Sequence, residues 1–435
     1  MEFLHQKTAQ ITGDEIQEAK GKLEPYFLHL KEIINKHDFS APEASLCLPH
    51  ADETYAEVMK MLERHQSNAL KHVFLIGIGG SNLGAKALYD ALRGPNDMFA
   101  SHVLPKMIFL DTISAHELEA VLKMIDNQIG NAGEVIVNIV SKSGMTLETI
   151  ANSEIVLDAF ARKFGNISKQ IIVTTDSDSQ LDRWAKSQGI DALHIPHEIG
   201  GRFSVFSPAG LFPLGLCGFN IQELLLGARK ALDSSLGEIT ESPAFLSAAS
   251  QFINYKKGKV ISDSFFFASE LESLGKWVRQ LMAESLGKEK DSAGKIVHMG
   301  FTPTVSIGST DLHSIAQLTF GGPQDKYTNL ITIKNSKDIA IPHDARFAFL
   351  DANIANKTAG EIMAAIYGGV KAAYEKAQLP FSEIIFQDVS EQSIGEYMQF
   401  KMIETMLLGR LMNVNAFDQP AVESYKIEMR RLLNL

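Results

Sequence analysis

Cysteine is nearly absent from this 435-residue chain, which carries only Cys47 and Cys217. Both sit among apolar neighbours, so inert buried thiols are expected rather than a disulfide, in keeping with a reducing, cytoplasmic compartment. Long apolar runs are missing as well. No stretch approaches the roughly 18 residues that a membrane span needs. The opening MEFLHQKTAQ has no basic region leading into an apolar core, so neither a membrane partner nor secretion is expected. An excess of positive charge is also missing. The 41 Lys and Arg face 52 Asp and Glu, for a net charge of −11. That balance argues against nucleic-acid binding but not against a small anionic substrate, because local charge decides that. The rest is ordinary for a globular protein: 45% hydrophobic and 21% charged residues, and length for two or three cores.

The most informative stretch is EVIVNIVSKSGMTLET, 134–149. The β-branched run Val135 to Val140 predicts a buried parallel strand. Ser141-Lys142-Ser143-Gly144-Met145-Thr146 then packs three hydroxyls, an ammonium and a glycine into six residues. An amphipathic helix follows, with Ile150, Ile155, Val156 and Phe160. A strand, a hydroxylic loop and a helix start form a natural phosphate cradle, since loop amides donate and the helix N-terminus adds about half a positive charge. An ordinary Ser/Thr turn capping its helix is the alternative.

Residues 1–66 read as a peripheral helical segment, with helical spacing from Ile16 to Leu30 and again from Thr54 to Arg64. An α/β alternation follows. Strands are expected at Val73–Ile76, Met107–Leu110, the 135–140 run, Ile171–Thr175 and Ala192–Ile195. A second α/β half has strands at Val260–Phe267, Thr304–Ile307, Leu330–Ile333 and Ile384–Phe386. Its helices are Ala244–Tyr255, Glu270–Gly287, Leu312–Phe320 and Ala359–Ala377. Helices Ile394–Leu411 and Asp418–Leu433 close the chain. Such alternation predicts parallel sheets covered on both faces, with ligands at the strand carboxyl ends. The halves are taken as 67–222 and 223–435. Between them no low-complexity linker occurs, and no residue-level repeat is visible.

Glycine-rich 77–84 competes as a dinucleotide fingerprint with Asp111 as the ribose acid, but Asn82 stands where the third glycine belongs. In 200–204, paired glycines precede Arg202, a planar cation; a glycine turn with a surface arginine is the alternative. His194, His197 and Glu198 could suggest a metal, yet Pro196 separates the histidines and no further ligand spacing is present. On the apolar stripe Leu274, Trp277, Leu281, the next position is Glu284. A carboxylate there is either a desolvated general base or half of an ion pair with Lys288. His313 falls in the first turn of a helix, where the dipole favours neutral imidazole. Asp418 as N-cap, Pro420 in the first turn and the Phe417/Val422 staple mark the last helix. Gln419 and Lys426 share one face of it, and Lys426 can bury its stem while its amine reaches a cleft, or simply remain solvated.

These blocks together resemble the phosphoglucose isomerase family, and a short bacterial form of it. The similarity rests on GIGGSNLG at 77–84, SKSGMTLET at 141–149, GGRFS at 200–204, ESLGKE at 284–289, GSTDLH at 308–313 and FDQPAVESYK at 417–426. The resemblance implies an α/β fold of two doubly wound, flavodoxin-like sugar-isomerase domains. It implies aldose–ketose isomerisation of glucose 6-phosphate and fructose 6-phosphate through an enediolate, with ring opening and without cofactor or metal. Carried over by position, Ser81, Ser141, Ser143, Thr146 and the Lys142 amide bind phosphate. Glu284 is the base between C2 and C1, and Arg202 stabilises the enediolate. His313 and Lys426 serve ring opening, and Gln419 with the Gly80 and Gly201 backbones contacts the sugar. A homodimer with shared active sites is implied too. Met145 departs from the family pattern, where a small hydroxylic residue is expected, and 289–295 reads as a surface-loop insertion. A non-catalytic sugar-phosphate sensor on the same domains is the rival. A glucosamine-6-phosphate synthase would need an N-terminal nucleophilic cysteine, and position 2 is Glu.

Overall fold

The computed structural model describes residues 1–347, 349–351 and 354–434. The chain divides into two compact α/β units, residues 28–230 with 276–281, and residues 1–27, 231–275 and 282–435. It opens with a short strand β1 (Glu2–Leu4) and two helices, α1 (Gly13–Lys36) and α2 (Asp52–His65). The strand departs from the helical reading of residues 1–66. Three residues are too few to carry a period, and β1 exists because it pairs antiparallel with a later edge strand.

In the first unit the strands are β2 (His72–Ile76), β3 (Lys106–Leu110), β4 (Val135–Ser141), β5 (Ile171–Asp176) and β6 (Asp191–Ile195). The helices among and after them are α3 (Leu83–Arg93), α4 (Ala115–Gln128), α5 (Leu147–Phe164), α6 (Gln180–Gln188), α7 (Pro208–Leu216) and α8 (Ile221–Ser235). All five strands are parallel, in the order β3-β2-β4-β5-β6. This is the flavodoxin-like order, whose direction reverses between β2 and β4. Every residue of β4 is buried, as its β-branched run requires, and Asn138 within it donates to the Ile172 carbonyl and the Thr174 hydroxyl. On one face Phe74, Ile76, Val137, Ile139 and Val173 pack with Val121, Ile125, Val156 and Phe160 of α4 and α5. On the other, α7 is buried along its whole length, because PAGLFPLGL has no polar side to show.

In the second unit, α9 (Pro243–Lys256) precedes β7 (Ile261–Phe266), then α10 (Glu272–Leu286), whose residues 276–281 count with the first unit, then β8 (Lys288–Lys290), β9 (Ile296–Met299) and β10 (Thr302–Ile307). Then come α11 (Ala316–Gly321), β11 (Lys326–Ile333), α12 (Ala359–Lys376), β12 (Phe381–Phe386), α13 (Glu391–Leu411) and α14 (Glu423–Leu432). The sheet order is β1-β12-β11-β7-β10. Its four parallel strands repeat the order of the first unit, and antiparallel β1 stands in the fifth place. Helix α13 is buried over almost its whole length and carries the ion pair Lys401–Glu404 inside, to which Ser247 donates at 2.5 Å.

The surface position read for 289–295 holds, and two other local readings are corrected. Residues 289–295 are the arm and turn of the β8–β9 hairpin, closed by the Asp291 carboxylate, which accepts from the Ala293 and Lys295 amides. Helix 312–320 is interrupted: a 3-10 turn spans Thr310–His313 and the α-helix starts only at Ala316. There the Asp311 carboxylate takes the Ile307 amide at 2.7 Å and the Ser314 hydroxyl at 2.7 Å, a local alternative to helical bonding. The last helix begins at Glu423 rather than at 418. Asp418 does not cap it, because its carboxylate lies 3.0 Å from the Lys288 ammonium and accepts from Asn415 at 2.9 Å.

Both cysteines are buried and free. Burial pushes the Cys47 thiol up to about 11 and Cys217 to about 12, which keeps both protonated and inert. Among the described residues no helix is long and apolar enough to cross a membrane.

Candidate active site

The loop 141–146 leaves the carboxyl end of β4 at the switch point of its sheet, where open α/β sheets bind ligands. Ser141 is buried, and its hydroxyl bonds that of Thr146 at 2.9 Å, closing the loop on itself. Thr146 occupies the N-cap of α5, yet its side chain makes no cap bond there. The Thr146 oxygen therefore does not compete with an anion for the first-turn amides. Gly144 has φ +68, and a Cβ there would stand 3.0 Å from Leu181 and the Ser179 hydroxyl, so the turn needs glycine. Ser143 is exposed and accepts from the Met145 amide at 3.3 Å. Met145 is exposed too, so its departure from the family pattern costs no packing.

Underneath, Thr175 donates to the Ser141 carbonyl at 2.6 Å, and the Asp176 amide donates to the Lys142 carbonyl at 3.1 Å. These anchors were not singled out in sequence, although Thr174-Thr175-Asp176 at the end of β5 is polar where a strand should be apolar. A mainly apolar cavity of about 200 Å³ lies beside the loop, lined by Ile139, Ser141, Ile150, Leu157, Leu181 and Trp184. Its walls do not suit a sugar.

Loop 77–84 leaves the carboxyl end of the adjacent strand β2. Gly80 and Gly201 meet backbone to backbone: a Cβ on Gly80 would lie 2.0 Å from the Gly201 carbonyl carbon. The Ser204 hydroxyl donates to the Gly201 carbonyl at 2.8 Å and to that of Gly80 at 3.3 Å, binding the two loops together. Ser81 is half-buried in the 3-10 turn that precedes α3. Arg202 is only 2% exposed, with its guanidinium 5.3 Å from the centre of the Phe203 ring. The surface-arginine alternative is thereby set aside, since a buried guanidinium is held for a purpose or a partner. His194 and His197 go to different carboxylates, Asp182 at 2.9 Å and Asp176 at 2.7 Å.

Along α10, Leu274, Trp277 and Leu281 are buried as their stripe requires, and Glu284 at its end is half-buried. Lys288 is buried and donates to the Glu284 carbonyl at 2.8 Å. It also reaches the Asp418 carboxylate at 3.0 Å and the Asp418 carbonyl, so it ties the end of α10 to the segment carrying Gln419. Gln419 is exposed at the start of the Pro420–Val422 turn. Lys426 is half-exposed and pairs with Glu423 at 2.8 Å; no residue of α14 is buried. His313 is exposed at the end of its 3-10 turn, beyond the carboxyl end of β10. At the other end of that strand, a Cβ on Gly300 would lie 2.8 Å from the Gly287 Cα, so the end of α10 sits near where β10 begins.

The family model of phosphoglucose isomerase matches residues 48–433. The glucose-6-phosphate isomerase of Carboxydothermus hydrogenoformans is 32% identical over 390 residues, 87% of this chain and 82% of that one. The enzyme of the same name from Rubrobacter xylanophilus is 32% identical over 96% of this chain and 93% of its own. A hypothetical protein of Thermus thermophilus superposes with a TM-score of 0.84 at 30% identity, covering 97% of this chain and 98% of its own. A glucose-6-phosphate isomerase of Chlamydia trachomatis gives 0.76 at 23% identity over 88% and 74%, a likeness of fold. The fold and loops define a sugar-phosphate isomerase architecture. The chain belongs to the phosphoglucose isomerase family.

Proposed function

We propose that the chain interconverts glucose 6-phosphate and fructose 6-phosphate, as a glucose-6-phosphate isomerase. The observation that carries this reading is the hydroxylic loop 141–146 at the switch point, with buried Arg202 in the same unit, in a chain whose relatives bear that name. Ser81, Ser141, Ser143, Thr146 and the Lys142 amide hold the phosphate. His313 and Lys426 open the sugar ring, while Gln419 and the Gly80 and Gly201 backbones contact the open chain. Glu284 takes a proton from C2 and returns it to C1, and the reverse. Arg202 offsets the charge of the enediolate that forms between the two transfers. Electrons stay within the substrate, so the proposal needs neither nicotinamide nor metal. It places the work in two sugar-isomerase domains, 67–222 and 223–435, in the cytoplasm.

We further propose a homodimer whose sites are shared. Glu284 lies one helical turn before Gly287, near the start of β10, whereas His313 lies beyond its end. A strand of six residues spans about 20 Å. That spacing supports a site in which a two-fold partner supplies the second group. The direct test couples glucose 6-phosphate formed from fructose 6-phosphate to a dehydrogenase. Steady turnover by purified protein is expected; none, from folded protein that still binds sugar phosphates, would leave the sensor reading in its place.

A further inference from the structure

We infer that the Lys142 ammonium is a positioning residue that sets the spacing between the phosphate loop and Arg202, an inference that rests on the role proposed above for that arginine. The side chain does not lie along the loop that carries it. It crosses to the neighbouring segment, where its ammonium donates to the His197 carbonyl. Four residues after His197, the Gly201–Phe203 turn presents Arg202. The other side of the same segment is held too, since the His197 imidazole meets the Asp176 carboxylate at 2.7 Å. Asp176 in turn donates its amide to the Lys142 carbonyl at 3.1 Å. Lys142, His197 and Asp176 thus close a ring of three contacts around the base of both loops.

The partner chosen by Lys142 is a neutral carbonyl, although Asp176 and Glu198 lie near enough to act on its charge. Burial pushes the ammonium below the ordinary lysine range, with those two carboxylates opposing the shift. A half-buried cation spent on a backbone oxygen fixes a distance, because the carbonyl belongs to the main chain and cannot rotate away as a side chain can. An apolar residue of the same length would fill the space without the tie. The consequence is a strut: phosphate at one end and the guanidinium at the other are held at a separation that suits one chain length of sugar phosphate. Displacement of a charge-stabilising group by about 1 Å can cost about 100-fold in rate.

The test is Lys142→Met in the full-length protein, which keeps the backbone amide at the phosphate. The expected result is a kcat lowered by roughly 10- to 100-fold, with inhibition by inorganic phosphate changed by less than about twofold. In an Arg202→Met background the same substitution should cost less than about threefold more, since a residue acting through another loses its effect when that other is gone. A raised inhibition constant for phosphate with unaltered kcat would instead assign the ammonium to the anion. Multiplicative losses in the double variant would likewise overturn the strut. If Arg202→Met alone keeps full turnover, the role of that arginine fails, and the strut is read separately by amide hydrogen exchange. Faster exchange over residues 197–203 in Lys142→Met supports it, and unchanged exchange rejects it. Should Lys142→Met fold poorly, Lys142→Gln is read in the same way.

Discussion

Glu284 shows how a single carboxylate can break a pattern that its neighbours obey. Leu274, Trp277 and Leu281 are buried, and Glu284, next on their stripe, is half-buried instead. Glu284→Gln keeps the shape and removes the basic lone pair. Turnover should fall by at least about 10²–10⁴, while inhibition by a sugar phosphate stays close to that of the parent. Near-parental turnover would end the role of Glu284 as the base. At the other loop, Ser141 and Thr146 bond each other at 2.9 Å. Replacing both with Ala should raise KM and weaken inhibition by inorganic phosphate, each lost bond to the anion being worth about 1.5–3 kcal/mol. Inhibition that does not change would move the phosphate to another loop.

At the scale of elements, α6 rests on an ionic arrangement that sequence did not reveal. Asp182 is fully buried, with Lys186 at 2.7 Å, His194 at 2.9 Å and the Asp178 amide donating at 2.9 Å. Burial pushes the carboxyl up, but these three donors outweigh it and hold it at about 2, below its ordinary 3.8. Because the folded-state value is depressed, the stabilisation is present above pH ~4 and fades as pH falls toward 2. Acid unfolding followed by circular dichroism should show the parent losing stability through that window. Asp182→Asn should be less stable at pH 7 and should lose this part of the dependence; an unaltered acid profile would count against it. The start of α14 is a second case at this scale. Asp418, Pro420 and Val422 form a good helix-start pattern, yet Lys288 and Asn415 take the Asp418 carboxylate and the helix begins at Glu423. A cap signal is only an offer of an acceptor, and a stronger donor elsewhere in the fold can take it.

For the whole molecule the decisive prediction concerns assembly. Glu284→Ala and His313→Ala should each be nearly inactive alone. When unfolded together in equal amounts and refolded, half of the dimers are mixed, and one of the two sites in each mixed dimer receives both intact groups. About a quarter of parental activity should return. No recovery, with mixed dimers verified by mass spectrometry, would reject the shared site and leave the family assignment intact.

What the sequence determined by itself was whatever depends on local pattern. Each parallel strand was legible within a few residues, because burial on both faces demands a largely apolar, β-branched run such as Val135 to Val140. The family was legible because its loops are short blocks with few tolerated residues, from GIGGSNLG to FDQPAVESYK. Tertiary structure alone decided the rest. It decided the strand order that sets β2 beside β4 and so puts loops 77–84 and 141–146 on adjacent strand ends. It turned Arg202 inward, brought Gly80 onto Gly201, and sent the Lys142 ammonium to a carbonyl 55 residues away. Those outcomes are pairings between distant segments, and hydrophobic period and capping signals describe only what a segment does with its own neighbours.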